Sequence, residues 1–195
     1  MARPSLTSER QAELADALRR LLPRKGYAGA SIKDIAAEAG VAAGLVHHHF
    51  RSKSDILVRV VEDLSDALEA RIPAGPLAPR QAVHALISAW LGTGPGASAE
   101  AVLCWAAIGA EAALRPEVQV VYAQAVAAQV DRLSVALARA APDRSPAELR
   151  ATAAMVHAVV EGSFRMHASA PGVIPPGSAQ DALLSIIDAW LDSPR

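Results

Sequence analysis

Residues 31–53 read SIKDIAAEAGVAAGLVHHHFRSK, and the punctuation of this stretch decides the fold. Ser31 followed three residues later by Asp34 is a capping box: the hydroxyl accepts from a backbone N–H and the carboxylate reaches back to the cap. Ile32, Ile35, Ala36 and Ala39 then keep helical spacing for only two turns before Gly40, whose missing Cβ suits the left-handed end of a helix. A second short helix is predicted over about Ala43 to Phe50, and Ser52 with Asp55 opens another at Lys53. Two short helices joined by a glycine turn form a helix-turn-helix, in which one face of the second helix locks onto the first and the other enters a DNA major groove. Val41, Val46 and Phe50 are spaced to lock against Ile32, Ile35 and Ala36. Ala42, Ala43, Leu45, His47 and His48 then face outward, and Lys53, in the first turn of the next helix, can meet a phosphate together with the free N–H groups there.

Working outward, Ser8 with Gln11 marks an earlier helix start, and the stripe Leu14, Leu18, Leu21, Leu22 carries that helix to about Leu22, where Pro23 followed by Gly26 is expected to end it early or distort it. Downstream, Ile56, Leu57, Val60, Val61, Leu64 and Leu68 extend the helix from Lys53 to about Arg71. The segment 72–79, IPAGPLAP, is the expected boundary between two parts of the chain. Beyond it, helical stretches are predicted at about 80–91, 99–114, 117–141, 146–169 and 179–191, with Ser145–Glu148 and Ser178–Asp181 as further capping boxes. No strand-like alternation occurs, so the expected fold is all-α with about nine helices.

Hydrophobic residues make up 52% of the 195 and charged residues 20%, which excludes a disordered chain. Lone Cys104 cannot form an internal disulfide, the apolar run 101–110 is too short to span a bilayer, and the start MARPSLTSERQ lacks the apolar stretch of a secretion signal. A cytoplasmic protein with no membrane partner is the expectation. The net charge of −1 hides an asymmetry: residues through 56 hold nine Lys and Arg against six Asp and Glu, and the remainder is acidic. Consecutive His47, His48 and His49 point about 100° apart on a helix and cannot converge on one metal ion. The string Gly92-Thr93-Gly94-Pro95-Gly96-Ala97 fits a loose dinucleotide fingerprint, but it follows a helix and has no sheet to serve, so it reads as a loop. No cofactor is implied.

The stretch from Ser31 through Val41, followed by Gly44, His49-Phe50 and Ser52-Lys53, resembles in order and spacing the N-terminal DNA-binding domain of TetR-family transcriptional regulators, over about residues 8–57. The resemblance implies a helix-turn-helix domain over 1–56 and a helical ligand-sensing and dimerisation domain over 57–195, joined by a connector helix at about 53–71. It implies a ligand-responsive repressor that binds a palindromic double-stranded DNA operator as a homodimer and is released by a small-molecule effector. Ser31, Lys33, His47 (where the family usually has tyrosine) and Lys53 would touch the DNA backbone, and Ala42, Ala43, Leu45 and His48 would face bases. Leu45 and Ala42 replace hydroxyl residues usual in the family, which shifts the expected readout toward thymine methyls, DNA shape and an arm carrying Arg3. Histidines change charge between pH 5 and 8, so DNA binding is expected to be tighter at pH 6 than at pH 8.

The C-terminal half resembles the choline/betaine-responsive branch of that family around Trp105, Glu111, Pro116 and Glu161-Gly162. Cys104, Trp105, Ile108, Tyr122, His157 and Glu161 are candidate walls of an effector site. His157, Glu161 and Arg165 also fit a surface stripe with an i, i+4 ion pair. Ala154, Ala158 and Gly162, with Leu183, Ile186, Ile187 and Trp190, suit a close helix interface between subunits, or equally burial within one chain. Two other classes stay open: an enzyme using His157 and Glu161 for acid–base work, which no nucleophile or phosphate-loop motif supports, and a helical adaptor that has lost DNA function.

Overall fold

The computed structural model describes residues 6–91 and 98–194, so the expected Arg3 arm and the loop 92–97 lie outside the described residues. Among the described residues there is no strand. The helices are α1 (Leu6–Gly29), α2 (Ile32–Glu38), α3 (Ala43–His49), α4 (Lys53–Glu69), α5 (Pro79–Leu91), α6 (Ala99–Ala112), α7 (Pro116–Ala140), α8 (Pro146–Ser169) and α9 (Ser178–Asp192). The all-α expectation holds.

Local chemistry explains most boundaries. At α2 and α8 the capping boxes form, Ser31 with Asp34 and Ser145 with Glu148. Before α4, the Ser52 N–H donates to Asp55 Oδ2 at 3.0 Å while the Asp55 N–H donates to Ser52 Oγ at 3.1 Å, completing a third box. Two expected helix starts fall elsewhere. Ser8 lies inside α1, and Ser178 donates its hydroxyl to the Pro175 carbonyl at 2.8 Å while Gly177, at φ 82°, caps α9. At α6, Ser98 supplies a cap by accepting from the Ala101 N–H.

Helix α1 does not stop at Leu22. It continues through Pro23 and breaks at Gly26, whose φ of 66° is cheap only for glycine. Pro23 removes one intrahelical bond. Leu21, Leu22 and Tyr27 around it are all at most 4% exposed, and burying each large apolar side chain contributes about 2 kcal/mol, which outweighs the local preference.

The chain forms two compact units. One comprises the chain through Ser65 together with Ser98–Gln124; the other comprises Asp66 through α5 together with Ala125 to the C-terminal end. Residues 98–124, which a linear division at 56/57 assigns to the C-terminal part, thus group with the N-terminal helices, α6 packing on α1. The first unit buries Leu14, Leu18, Leu22, Ile35, Val46, Ile56, Leu57 and, from α6, Cys104, Trp105 and Ile108. The second unit is built on Val83, Leu86, Ile87 and Trp90 of α5, Val130, Leu133 and Leu137 of α7, Leu149, Ala153, Val156 and Val160 of α8, and Leu183 and Ile187 of α9. Among the described residues no helix is long and apolar enough to cross a membrane.

Candidate nucleic-acid interface

The turn after α2 is a Schellman motif: the Val41 N–H donates to the Ala36 carbonyl at 2.9 Å and Gly40, at φ 69°, donates to the Ala37 carbonyl at 3.2 Å. That geometry aims α3 across α2. Val46 and Phe50 turn inward with Ile35 and Ala36, as the locking pattern requires, while Val41 and Ile32 are half-buried. Outward, Ala42, His47 and His48 are exposed, and Ala43 and Leu45 are half-buried. His49 turns partly inward; its ring stands edge-on to His48 at 5.2 Å and its carbonyl accepts from Gln11 Nε2 at 3.3 Å. No set of three or more His, Cys, Asp or Glu side chains among the described residues converges on a metal-sized site.

Ion pairing selects which cations can meet a phosphate. Arg19 and Arg20 pair with Asp16, Arg19 also reaches Glu100 at 3.3 Å, and Arg20 and Arg24 grip the two oxygens of Glu38 at 2.9 and 2.7 Å. Arg10 is taken by Glu13 and Lys25 by Asp34. The Lys25 ammonium, together with the Ser31 hydroxyl and N–H, holds the Asp34 carboxyl well below the usual carboxylate range. Lys33 and Arg51 are both exposed and make no ion pair or hydrogen bond among the described residues. Arg51 was not among the residues expected from sequence. Its signal was available: Asp55, the acid four residues on, is committed to the cap of α4, so Arg51 has no local partner.

Two expected backbone contacts are modified by the structure. Ser31 keeps its hydroxyl in the cap, bonded to Asp34. Lys53 is not a free cation: its Nζ donates to the Tyr27 carbonyl at 2.6 Å and sits 4.1 Å from the Tyr27 ring centroid, and burial pulls its ammonium below the ordinary lysine value. At 2.6 Å a charge-assisted bond of this kind is a strong one.

The candidate effector residues fall in different units. Cys104, Trp105 and Ile108 are buried in the first, where the Trp105 and Tyr122 rings lie 5.1 Å apart, tilted. A Cβ on Gly109 would come within 3.1 Å of the Tyr122 hydroxyl, so that glycine lets the tyrosine lie on α6. Burial pushes the Cys104 thiol up to about 12, leaving it unreactive. His157 and Glu161 belong to the second unit. His157 is 3% exposed, its Nε2 pairs with Gln129 Oε1 of α7 at 2.9 Å, its Nδ1 lies 3.9 Å from Glu161, and its ring stands edge-on to Trp90 of α5. Glu161 thus faces His157, and Arg165 is exposed.

Burial holds the His157 imidazole below the ordinary histidine value near 6.5, with Glu161 opposing the shift. Being depressed, the folded-state value makes the unfolded chain bind more protons, so stability is full above about pH 6.5 and falls as the pH drops below it. The melting midpoint of the wild-type protein should therefore drop between pH 7 and pH 5 by more than that of a His157→Gln variant. Equal drops in calorimetric scans would dissociate His157 from acid sensitivity.

Of the expected interface residues, Leu183 and Ile187 are 3% and 2% exposed within a single chain, so they serve the core and not a subunit seam. Trp190 is likewise engaged at home, stacked 4.8 Å below the Arg144 guanidinium. Ala154, Ala158 and Ile186 are exposed and Gly162 is half-buried.

Residues 14–60 match the family described as "Bacterial regulatory proteins, tetR family", and residues 79–192 match "BetI-type transcriptional repressor, C-terminal". The HTH-type transcriptional regulator BetI of Agrobacterium fabrum is 30% identical over 192 residues, covering 94% of this chain and 89% of that protein. HbdR of Aromatoleum sp., also an HTH-type transcriptional regulator, is 36% identical over 70 residues, 36% of this chain and 31% of its own length. The crystal structure of a transcriptional regulator from Saccharomonospora viridis in complex with choline has the same fold, with a TM-score of 0.74 at 22% identity, covering 93% of this chain and 96% of that one. A capped helix-turn-helix with an outward α3, followed by a helical C-terminal part of BetI type, places this chain in the tetR family of bacterial transcriptional regulators.

Proposed function

We propose that the protein is a ligand-responsive repressor that binds a two-fold symmetric DNA operator as a homodimer, with α3 of each copy in the major groove. The observation that carries the reading is the outward face of α3 and its cap, with Ala42, His47 and His48 exposed and Leu45 half-buried, flanked by Lys33 and Arg51, which are unpaired among the described residues. The two cations and His47 contact phosphates, fixing register, while Ala42, Ala43, Leu45 and His48 meet base edges and thymine methyls. Ser31 and Lys53 support that surface, Ser31 by ordering α2 and Lys53 by anchoring α4.

Dimerisation uses α8 and α9. Helix α8 exposes Ala151, Ala154, Met155, Ala158 and Val159, offset around the helix from buried Ala153, Val156 and Val160, and α9 exposes Ala182, Ile186 and Ala189. Small residues allow two such helices to approach closely, and an apolar stripe of this length on one face calls for a partner. For the effector, the ring pair Trp105–Tyr122, with Cys104 and Ile108 buried on the same helix as Trp105, supplies aromatic surface of the kind that holds a quaternary ammonium. The choline-bound relative supports that class; His157 with Glu161, in the second unit, is a separate candidate location.

Fluorescence anisotropy against a selected pool of random-core duplexes, repeated over a salt series, tests the reading. A palindrome should be recovered, bound by two copies of the chain, more tightly at pH 6 than at pH 8. Lys33→Ala and Arg51→Ala should each reduce the slope of log affinity against log salt by about 2 per dimer, one phosphate per subunit, and weaken all sequences alike. His47→Ala should weaken them alike too, and choline is the first effector to titrate. Binding that is sequence-blind, or indifferent to Lys33 and Arg51, would reject this interface.

A further inference from the structure

The Tyr27 backbone is held from both sides, through the peptide before it and the peptide after it. Its N–H donates to Glu111 Oε1 of α6 at 2.9 Å, and its carbonyl accepts from the Lys53 ammonium at 2.6 Å. Glu111 is itself steadied by Arg115, whose Nε donates to Oε2 at 2.7 Å. Gly26 makes the approach possible: a Cβ there would lie 2.5 Å from Glu111 Oε1, and the backbone has φ 66°. Two separate features of Gly26, its left-handed conformation and the space it leaves, therefore serve one carboxylate. Lys53 is the first residue of α4, only four positions beyond the end of α3.

We infer that Glu111 is a positioning residue for DNA recognition, through which α6 sets the placement of Tyr27, hence of Lys53 and of the α3–α4 corner. It touches no DNA. Its carboxylate accepts from a backbone N–H and a guanidinium at once, so a shift of α6 moves or releases the Tyr27 backbone, and with it the anchor of α4. The inference rests on the DNA-binding reading above and adds to it the residue by which a segment 84 positions away in sequence from Tyr27 governs operator affinity.

The test is operator affinity of the full-length protein, measured by anisotropy well below the melting transition, with urea unfolding in parallel. Glu111→Leu and Gly26→Ala should each weaken operator binding about tenfold. The double variant should be weakened by clearly less than the roughly hundredfold product of independent effects, because both changes break the same contact and only the strain of alanine at φ 66° adds to it. Glu111→Gln keeps a carbonyl that accepts from the Tyr27 N–H while its NH2 releases the half-exposed Arg115 side chain toward solvent, so it should stay within about threefold of wild type, and Glu111→Asp, one methylene short of Tyr27, should not. A contact that only stabilises the fold would lower the unfolding midpoint and leave operator affinity and the Gln/Asp split unmoved. Wild-type affinity in Glu111→Leu, or multiplicative losses in the double variant, would overturn the inference. Should Glu111→Leu fail to fold, the Gln/Asp pair decides: equal affinities reject the role. Failure of the wild-type protein to select any duplex is the distinct result that rejects the DNA-binding reading and this inference with it.

Discussion

Trp90→Ala should lower the unfolding free energy by about 4 kcal/mol, the largest effect expected from any single truncation in the second unit. The ring is 4% exposed, lies among Val83, Leu86, Ile87, Val130 and Leu133, and stands edge-on to His157 at 5.7 Å. Removing it strips apolar surface from four helices and leaves a void that the remaining side chains fill only in part. For a chain of this size the melting midpoint should fall by about 12 °C. The measurement is urea unfolding at one fixed protein concentration, because the proposed dimerisation would make apparent stability concentration-dependent. Trp90→Phe should recover more than half of the loss. A change below about 1 kcal/mol in the alanine variant would contradict the placement of the ring in that core.

Ile35→Ala is expected to cost about 3 kcal/mol in the first unit, with a different consequence. Ile35 is wholly buried on the inner face of α2, where Val46 of α3 and Leu18 of α1 are also buried. Its loss loosens the seat of α3, so operator binding should fall together with stability. Ala37→Ser, on the exposed side of the same helix, should change stability by less than about 0.5 kcal/mol and leave binding intact. Denaturation and anisotropy on both variants check the contrast. If Ile35→Ala kept wild-type stability, the locking of α3 onto α2 would not depend on this side chain.

The local grammar of this chain is legible because its causes lie within a few residues of their effects. Ser31 with Asp34, Ser52 with Asp55 and Ser145 with Glu148 are self-contained devices, and Gly40 ends α2 with bonds that reach back no further than Ala36. Hence the short pair α2–α3 and the all-α class can be read directly. Where a local preference competed with burial, it lost. Pro23 predicts a stop, but Leu21, Leu22 and Tyr27 keep their places in the core, and the break moves to Gly26, where positive φ is cheap.

What the amino-acid order determined by itself is the helix-turn-helix, its caps and the residue types on its recognition face, since each follows from spacing along one or two helical turns. Only the tertiary structure decided which of the head's cations remain available, because Arg19 finds Glu100, and Arg20 and Arg24 find Glu38, across helices that no local pattern links. It also decided that Leu183 and Ile187 face their own core while Ile186 stays exposed, for periodicity identifies an apolar face but not its partner. The bond from Tyr27 to Glu111 joins residues 84 positions apart, a pairing that exists only once α1 and α6 lie side by side.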